Sequence, residues 1–274
     1  MDYTYDSMYY SKGNLIAGLD ESGVSDIAGP LVAACVILPK IDIHQHDLKI
    51  LEVNDSKQIP EQYRKKHAEV IFNVALGIGI GEVTPTEIDY LGKYAAIRLA
   101  MLRAINACKK PGGKKQMVPD YLLIDGDLKL PTDIPQKLIP KGDSKSLAIA
   151  SASIIAKVYR DEIMINLHEQ FPEYNWASNK GYPCEPHFNG IDQIGVQLGL
   201  HRIKLWPFVE NPKLSNEEKE IWRQRRNRWR TVTQARMFKE LGGNEWTSKS
   251  KLTKHLIKLK NLQAKEALST LEKK

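Results

Sequence analysis

Two adjacent carboxylates, Asp20 and Glu21, follow the apolar run Leu15-Ile16-Ala17-Gly18-Leu19 and lead into Ser22-Gly23 and then Ala28-Gly29-Pro30. Side chains alternate along a strand, so the two acids point to different sides of the backbone and serve one site only where the strand ends in an open cleft. Like charges this close repel unless a cation lies between them. A hard divalent ion such as Mg²⁺, bound by one or two carboxylates and by substrate phosphate oxygens, suits such a pair. A solvated acidic turn after an edge strand is the plainer alternative. Two further acids share the format. Tyr121-Leu122-Leu123-Ile124 runs into Asp125-Gly126, and Lys141-Gly142-Asp143-Ser144 places Asp143 just before a long helical stretch. In an α/β fold the carboxyl ends of the strands gather at one rim, where ligands bind. Four carboxylates there would hold two metal ions about 3.5–4 Å apart for in-line phosphoryl displacement. For Asp143 a helix N-cap is the alternative role.

The elements that must position these acids are legible in the pattern. Near-continuous apolar runs at 14–19 and 30–38 predict strands covered on both faces. A helix is predicted over 60–75, opening at Pro60, and a strand over 77–83, where glycine alternates with aliphatic residues. Thr84-Pro85-Thr86-Glu87 forms a capping box and starts a helix expected to run to about Ala107. A strand follows at 119–125. The helix after Asp143 is dense in small residues, including Ala148, Ala150, Ser151, Ala152, Ser153 and Ala156, which lets it lie close to a sheet. Residues 179–187 read as a loop and 188–199 as a helix. Residues 1–13 read as a loose N-terminal arm.

Composition narrows the class. Cys35, Cys108 and Cys184 have no short paired spacing, which suggests neither a zinc site nor a disulfide framework. No apolar run approaches the ~18 residues of a membrane span, so a soluble, cytoplasmic protein is expected. The net charge of +7 hides an asymmetry. Residues 211–274 hold 17 Lys+Arg against 7 Asp+Glu, whereas residues 1–210 hold 23 against 26. The basic excess therefore lies in a C-terminal extension, an electrostatic candidate for polyanion contact. Ser215-Asn216-Glu217-Glu218 caps a first helix there, and Lys251 to Leu271 reads as a second, amphipathic one. In the first, Trp222 and Trp229 interleave with arginines. That composition can stack on nucleic acid, but burial of at least one tryptophan is the reading favoured here.

The ordered set Asp20-Glu21-Ser22-Gly23…Ala28-Gly29-Pro30, Asp55-Ser56-Lys57, Ile124-Asp125-Gly126, Lys141-Gly142-Asp143 with Ser144 to Asp161, Asn179-Lys180-Gly181-Tyr182 and His201-Arg202 resembles the type 2 ribonucleases H (ribonuclease HII and HIII). The resemblance spans about residues 14–208. It implies an α/β fold, a ribonuclease H-like mixed sheet flanked by helices, with a C-terminal helical extension. The implied domains are an arm at 1–13, a catalytic domain at 14–210 and the basic extension at 211–274. The implied reaction is metal-dependent endonucleolytic cleavage of RNA in RNA–DNA hybrids, leaving 5′-phosphate and 3′-hydroxyl ends. Asp20, Glu21, Asp125 and Asp143 would be the catalytic carboxylates, holding two Mg²⁺ or Mn²⁺ ions. Tyr182 would pack against a sugar at the scissile junction. Gly23, Val24 and Ser25 would form the substrate turn, where a bulky residue in place of Gly23 could not make the tight bend. Lys57, Lys141 and Lys180 would contact phosphates. His187 and His201 match positions where the family often has histidine, and no chemistry is assigned to them. The expected partner is an RNA–DNA hybrid or ribonucleotide-containing duplex DNA, bound by a monomer. A fold-retaining nucleic-acid-binding protein with weak or altered nuclease activity is the alternative.

The chain also departs from the pattern. Ribonuclease HII usually has Gly-Arg-Gly in the first motif, where the arginine helps read the ribonucleotide 2′-hydroxyl. Here Val24 and Ser25 replace the arginine and second glycine, and Asp26 is a ribonuclease HIII-like acid. A charge-assisted hydrogen bond is worth roughly 1.5–3 kcal/mol, or about one to two orders of magnitude in rate when realised in the transition state. Duplexes carrying four consecutive ribonucleotides are therefore expected to be cut with higher kcat/KM than duplexes carrying one. Equal values in steady-state kinetics on matched substrates would show that the turn does not depend on the missing arginine.

Overall fold

The computed structural model describes residues 4–10, 15–40, 60–205, 207–209 and 214–240. Lys57, the Asp55-Ser56-Lys57 motif and the amphipathic stretch at 251–271 lie outside the described residues. Five strands form one sheet: β1 (Ile16–Ser22), β2 (Leu31–Ile37), β3 (Gly77–Val83), β4 (Tyr121–Asp125) and β5 (Gln136–Ile139), in the order β3-β2-β1-β4-β5. The β1–β2 and β2–β3 pairs are antiparallel; β1–β4 and β4–β5 are parallel. The sequence pattern does not announce β5. It is a four-residue edge strand in which only Ile139 is fully buried, so no apolar run marks it.

The helices are α1 (Thr4–Ser7), α2 (Glu61–Val74), α3 (Pro85–Leu91), α4 (Lys93–Ala107), α5 (Leu147–Gln170), α6 (Trp176–Asn179), α7 (Glu185–Ile194) and α8 (Asn216–Glu240). The predicted helix over 84–107 is two helices. Its capping box is present, with the Glu87 N–H on Thr84 Oγ1 and the Thr84 N–H on Glu87 Oε2. Gly92, at φ 78°, then ends α3 in a conformation closed to helix. Pro60 occupies the N-cap of α2 rather than its first helical position.

The chain divides into two compact units. The first comprises residues Met1–Val24, Pro30–Val83 and Lys93–Glu162; the second comprises Ser25–Gly29, Thr84–Gly92 and Ile163–Lys274. In the first, strand register decides which face each helix covers. Gly18 pairs with Val36 and Val36 with Ile78, so these share a face; Leu19, Cys35 and Gly79 share the other. A Cβ on Gly18 would lie 2.0 Å from the Ala148 carbonyl carbon, so the backbone of α5 rests directly on β1. A Cβ on Gly79 or Gly81 would lie 2.0 Å from the carbonyl oxygens of Ala104 and Ala100, which seats α4 on the opposite face. The small residues of α5 have a matching gap in the sheet to fill. The N-terminal segment is docked rather than loose: Tyr5, Tyr9 and Tyr10 pack on Ile16, Tyr121, Leu123, Ile139 and Ile149.

The second unit has its own core, in which Ile27, Met164, Tyr174, Trp176, Phe188 and Trp229 meet. Helix α3 joins it through Asp89, whose carboxylate accepts the N–H groups of Ile203 and Lys204 at 3.0 Å each. The basic-aromatic segment of α8 is built into this core. Trp229 is 1% exposed, and Trp222 packs beside it. The Arg225 guanidinium pairs with Glu185 and Asp192 at 2.9 Å each and lies 5.2–5.6 Å from the rings of Phe188, Trp222 and Trp229. These groups stabilise α7 against α8, and the stacking surface that the composition could have offered is spent internally.

Close backbone approach makes Gly18 the most sensitive position in the sheet. Gly18→Ala is expected to lower stability by about 3 kcal/mol or more, because α5 backbone, not a flexible side chain, occupies the space. Gly113→Ala, whose Cβ would find its nearest neighbour at 3.4 Å, should change stability by no more than about 1 kcal/mol. Urea midpoints of the two variants measure the contrast.

Candidate active site

The parallel pairing of β1 with β4 ends at Leu19 opposite Ile124. Asp20 and Asp125 each follow by one residue, so they stand at the same level of neighbouring strands. Gly18 pairs with Leu123, and two residues further on Asp20 and Asp125 return to that same face, the one covered by α5. The two acids after Leu19 were expected beyond the strand; instead β1 continues through Ser22, with Asp20 and Glu21 opposite Ala34 and Ala33 of β2. Asp20 is only 6% exposed. Its Oδ1 accepts the Glu21 N–H at 2.7 Å, and the Ser153 hydroxyl of α5 donates to the same carboxylate. Burial holds its carboxyl well above the usual carboxylate range, reinforced by the charge of Glu21 and then that of Asp125; the two hydrogen bonds pull the other way.

Asp125 closes β4, and its Oδ1 accepts the Gly142 N–H at 2.6 Å. Gly142 opens a single 3₁₀ turn, Gly142–Ser144, that carries Asp143. A Cβ on Gly142 would lie 2.6 Å from Ile149 Cδ1 and 3.3 Å from Asp125 Oδ1, so this turn sits tightly against Asp125. Asp143 does not cap α5. The Ile149 N–H goes to Ser146 Oγ at 3.2 Å, and the Ala148 N–H goes to Asp6 Oδ2 at 2.9 Å. Asp6 is itself buried, which pushes its carboxyl up. Sequence reasoning missed Asp6, Ser146 and Ser153. Ser153 was read among the small residues of the helix, and nothing in the sequence signals a cap drawn from 142 positions away.

Asp20, Glu21 and Asp125 thus share one electrostatic environment, and the Asp143 turn is bonded to Asp125. Among the described residues, no three His, Cys, Asp or Glu side chains stand close enough to enclose a metal ion. The donor chemistry nevertheless fits a hard divalent cation: the acids supply only carboxylate oxygens. Repulsion among Asp20, Glu21 and Asp125 is the kind a cation relieves.

The other sequence-derived residues fall in both units. Gly23 adopts φ 91°, and a Cβ there would lie 2.1 Å from Arg160 Nε. Arg160, buried in α5, donates from Nε to the Pro30 carbonyl at 2.9 Å. Glycine is required here both by conformation and by an arginine that the sequence reading did not single out. Val24 is half-buried and Ser25 exposed, in one turn. Lys141 is exposed, at φ 55°. Ser25, Lys180 and Tyr182 belong to the second unit. Lys180 turns its ammonium onto the Ala177 carbonyl of its own helix. Tyr182 is 54% exposed. The Ile27 N–H donates to the Gly181 carbonyl at 2.9 Å, which ties the segment after Ser25 to the residue before Tyr182.

Comparison with known proteins gives this geometry a family. The Ribonuclease HII family model matches residues 17–205. The ribonuclease HII of Caldanaerobacter subterraneus subsp. tengcongensis is 45% identical over 201 residues, which cover 72% of this chain and 77% of that protein. The ribonuclease HII of Latilactobacillus sakei subsp. sakei is 42% identical over 197 residues, covering 72% of each. Among solved structures, ribonuclease H2 from Pyrococcus horikoshii OT3 superposes with a TM-score of 0.61 at 23% identity, covering 79% of this chain and 99% of that one, a likeness of fold. The matched span includes Asp20, Glu21 and Asp125, the Gly142–Ser144 turn and the helix behind them, and the chain belongs to the ribonuclease HII family.

Proposed function

We infer that Asp20, Glu21, Asp125 and Asp143 are the carboxylates with which this chain carries out its family's reaction, the endonucleolytic cleavage of RNA in RNA–DNA hybrids. The observation that carries the assignment is the meeting of Asp20 and Asp125 on one face at the end of the parallel β1–β4 pair, with Gly142 tying the Asp143 turn to Asp125. Two Mg²⁺ or Mn²⁺ ions held by these carboxylates would supply activation of the attacking water and stabilisation of the leaving 3′-oxygen, giving 5′-phosphate and 3′-hydroxyl ends.

The protein's own groups do the positioning. Ser153 and the Glu21 N–H orient the Asp20 carboxylate. The Gly142 N–H holds one oxygen of Asp125. Arg160 backs the Gly23 turn, whose backbone, with Val24 and Ser25, is the surface offered to the ribonucleotide. The exposed Tyr182 ring is offered to the sugar, and the exposed Lys141 to a phosphate. Lys180 supports this reading less, because its ammonium is engaged at Ala177. Among the described residues no helix is long and apolar enough to cross a membrane.

Asp125→Asn keeps the shape of the side chain but removes its charge. It should lower kcat on a hybrid by at least about 100-fold with the fold intact, since changes one shell further from a metal already cost about 10–100-fold. Chelation should abolish wild-type cleavage; turnover that survives excess EDTA overturns the metal assignment.

A second expectation follows from Asp20. Its folded-state pKa is raised, so the ionised form is disfavoured on folding. The penalty is absent below the unfolded-state value and grows as pH rises above it. Asp20→Asn removes the charge. In EDTA at neutral pH this variant should melt above wild type while losing activity, each kcal/mol being about 2–4 °C for a chain of this size. A lower melting temperature would show that Asp20 is not under repulsion in the metal-free protein.

A further inference from the structure

His187 and His201, to which the sequence assigned no chemistry, lie with Trp176 at the centre of the second unit, all three buried. The hydrogen bonds among them fix where the protons are. An indole N–H can only donate, and Trp176 Nε1 lies 2.9 Å from His187 Nε2. His187 Nε2 is therefore a bare acceptor. The Gln197 N–H donates to His201 Nδ1 at 3.0 Å, leaving the His201 proton on Nε2, which faces His187 Nε2 at 3.2 Å. The opposite assignment for His201, with Nδ1–H on the Gln197 carbonyl at 3.2 Å, would set two bare lone pairs against each other. A neutral imidazole carries one proton, so that of His187 is on Nδ1, 3.0 Å from the Tyr182 carbonyl. Burial pushes the His187 pKa down to about 4, which keeps the ring neutral.

The recipient of that proton is the backbone of the residue whose ring faces outward. Lys180 and Gly181 precede Tyr182 in left-handed conformations, φ 51° and 89°. The Tyr182 N–H is held by the Asn179 carbonyl at 2.9 Å. Its carbonyl is held by His187. The same cluster reaches the other substrate segment. His201 bridges Ala28, the Arg202 N–H donates to the Ile27 carbonyl at 2.8 Å, and the Arg202 guanidinium donates twice to the Gly29 carbonyl, at 2.9 and 3.0 Å.

We propose that His187 is a positioning residue for cleavage: with its tautomer set by Trp176 and His201, it fixes the Tyr182 backbone and so aims the exposed ring at the sugar of the hybrid. The proposal rests on the reading that Tyr182 meets the substrate. His187 touches no reacting atom; it acts through Tyr182.

A double-mutant cycle tests this on the full chain, with kcat/KM for an RNA–DNA hybrid as the readout. His187→Leu removes the donor and should lower kcat/KM roughly three- to tenfold, the worth of one net hydrogen bond. His187→Asn places an amide N–H where Nδ1–H stood and should restore most of the loss. In a Tyr182→Ala background, His187→Leu should cost nothing further. The same fractional loss in both backgrounds would overturn the proposal, because His187 would then act on the fold at large. If Tyr182→Ala alone leaves kcat/KM unchanged, the underlying reading of Tyr182 fails instead. Should the leucine variant not fold, Trp176→Phe, which removes one of the two donors that set the tautomer, takes its place in the cycle. Imidazole ¹⁵N shifts of the wild-type protein provide a check free of substitutions: His187 protonated on Nδ1 is expected, and protonation on Nε2 overturns the proposal.

Discussion

Burying Asp20 beside two other acids is the interaction around which the first unit is arranged. An isolated carboxylate removed from water is costly, and adjacent negative charges raise that cost. The fold offsets it with a few directed donors: the Ser153 hydroxyl and the Glu21 N–H at Asp20, and the Gly142 N–H at Asp125. Each comes from a different element, so the acids hold their places only if β1, β4, the Gly142–Ser144 turn and α5 are all in register. The residual repulsion is of the kind that a bound cation relieves.

That register depends on close approach. Gly18 lets the α5 backbone lie on β1, which carries Ser153 to Asp20 and Arg160 to the Gly23 turn. Gly79 and Gly81 do the same for α4 on the other face. At the start of α5, Asp6 and Ser146 take up the first N–H groups, so Asp143 is not consumed as a cap.

The second unit shows the same economy with different residues. Several of its arginines, tryptophans and histidines, types often associated with nucleic-acid contact, are internal, while Arg223, Arg228 and Arg230 stay exposed. Arg225 is paired and stacked between α7 and α8, Arg202 holds the Gly29 carbonyl, and Trp176 and the two histidines are buried. Tyr182 and Ser25 are among its exposed residues, and the backbone beside each is hydrogen-bonded, Ile27 N–H to the Gly181 carbonyl and Tyr182 N–H to the Asn179 carbonyl.

The sequence by itself determined the strands β1 to β4, the capping boxes at Thr84 and Ser215, the small-residue helix and the family, because these depend on local periodicity and on short ordered motifs. It also marked the four acids, since a carboxylate following an apolar run is costly and therefore conspicuous. Only the tertiary structure decided the rest. β5 has too few buried residues to leave a pattern. The break at Gly92 could not be told from a tolerated helix glycine without its φ. Asp6, Arg160 and Ser153 act across 142, 130 and 133 positions of chain, and a hydrogen bond between distant residues leaves no trace in local spacing. The paired cysteines are a further instance: Cys35 and Cys108, remote in sequence, share a hydrogen bond in the core. The tautomer of His187 depends on three neighbours brought together by folding, so no reading of the chain in one dimension could assign that proton.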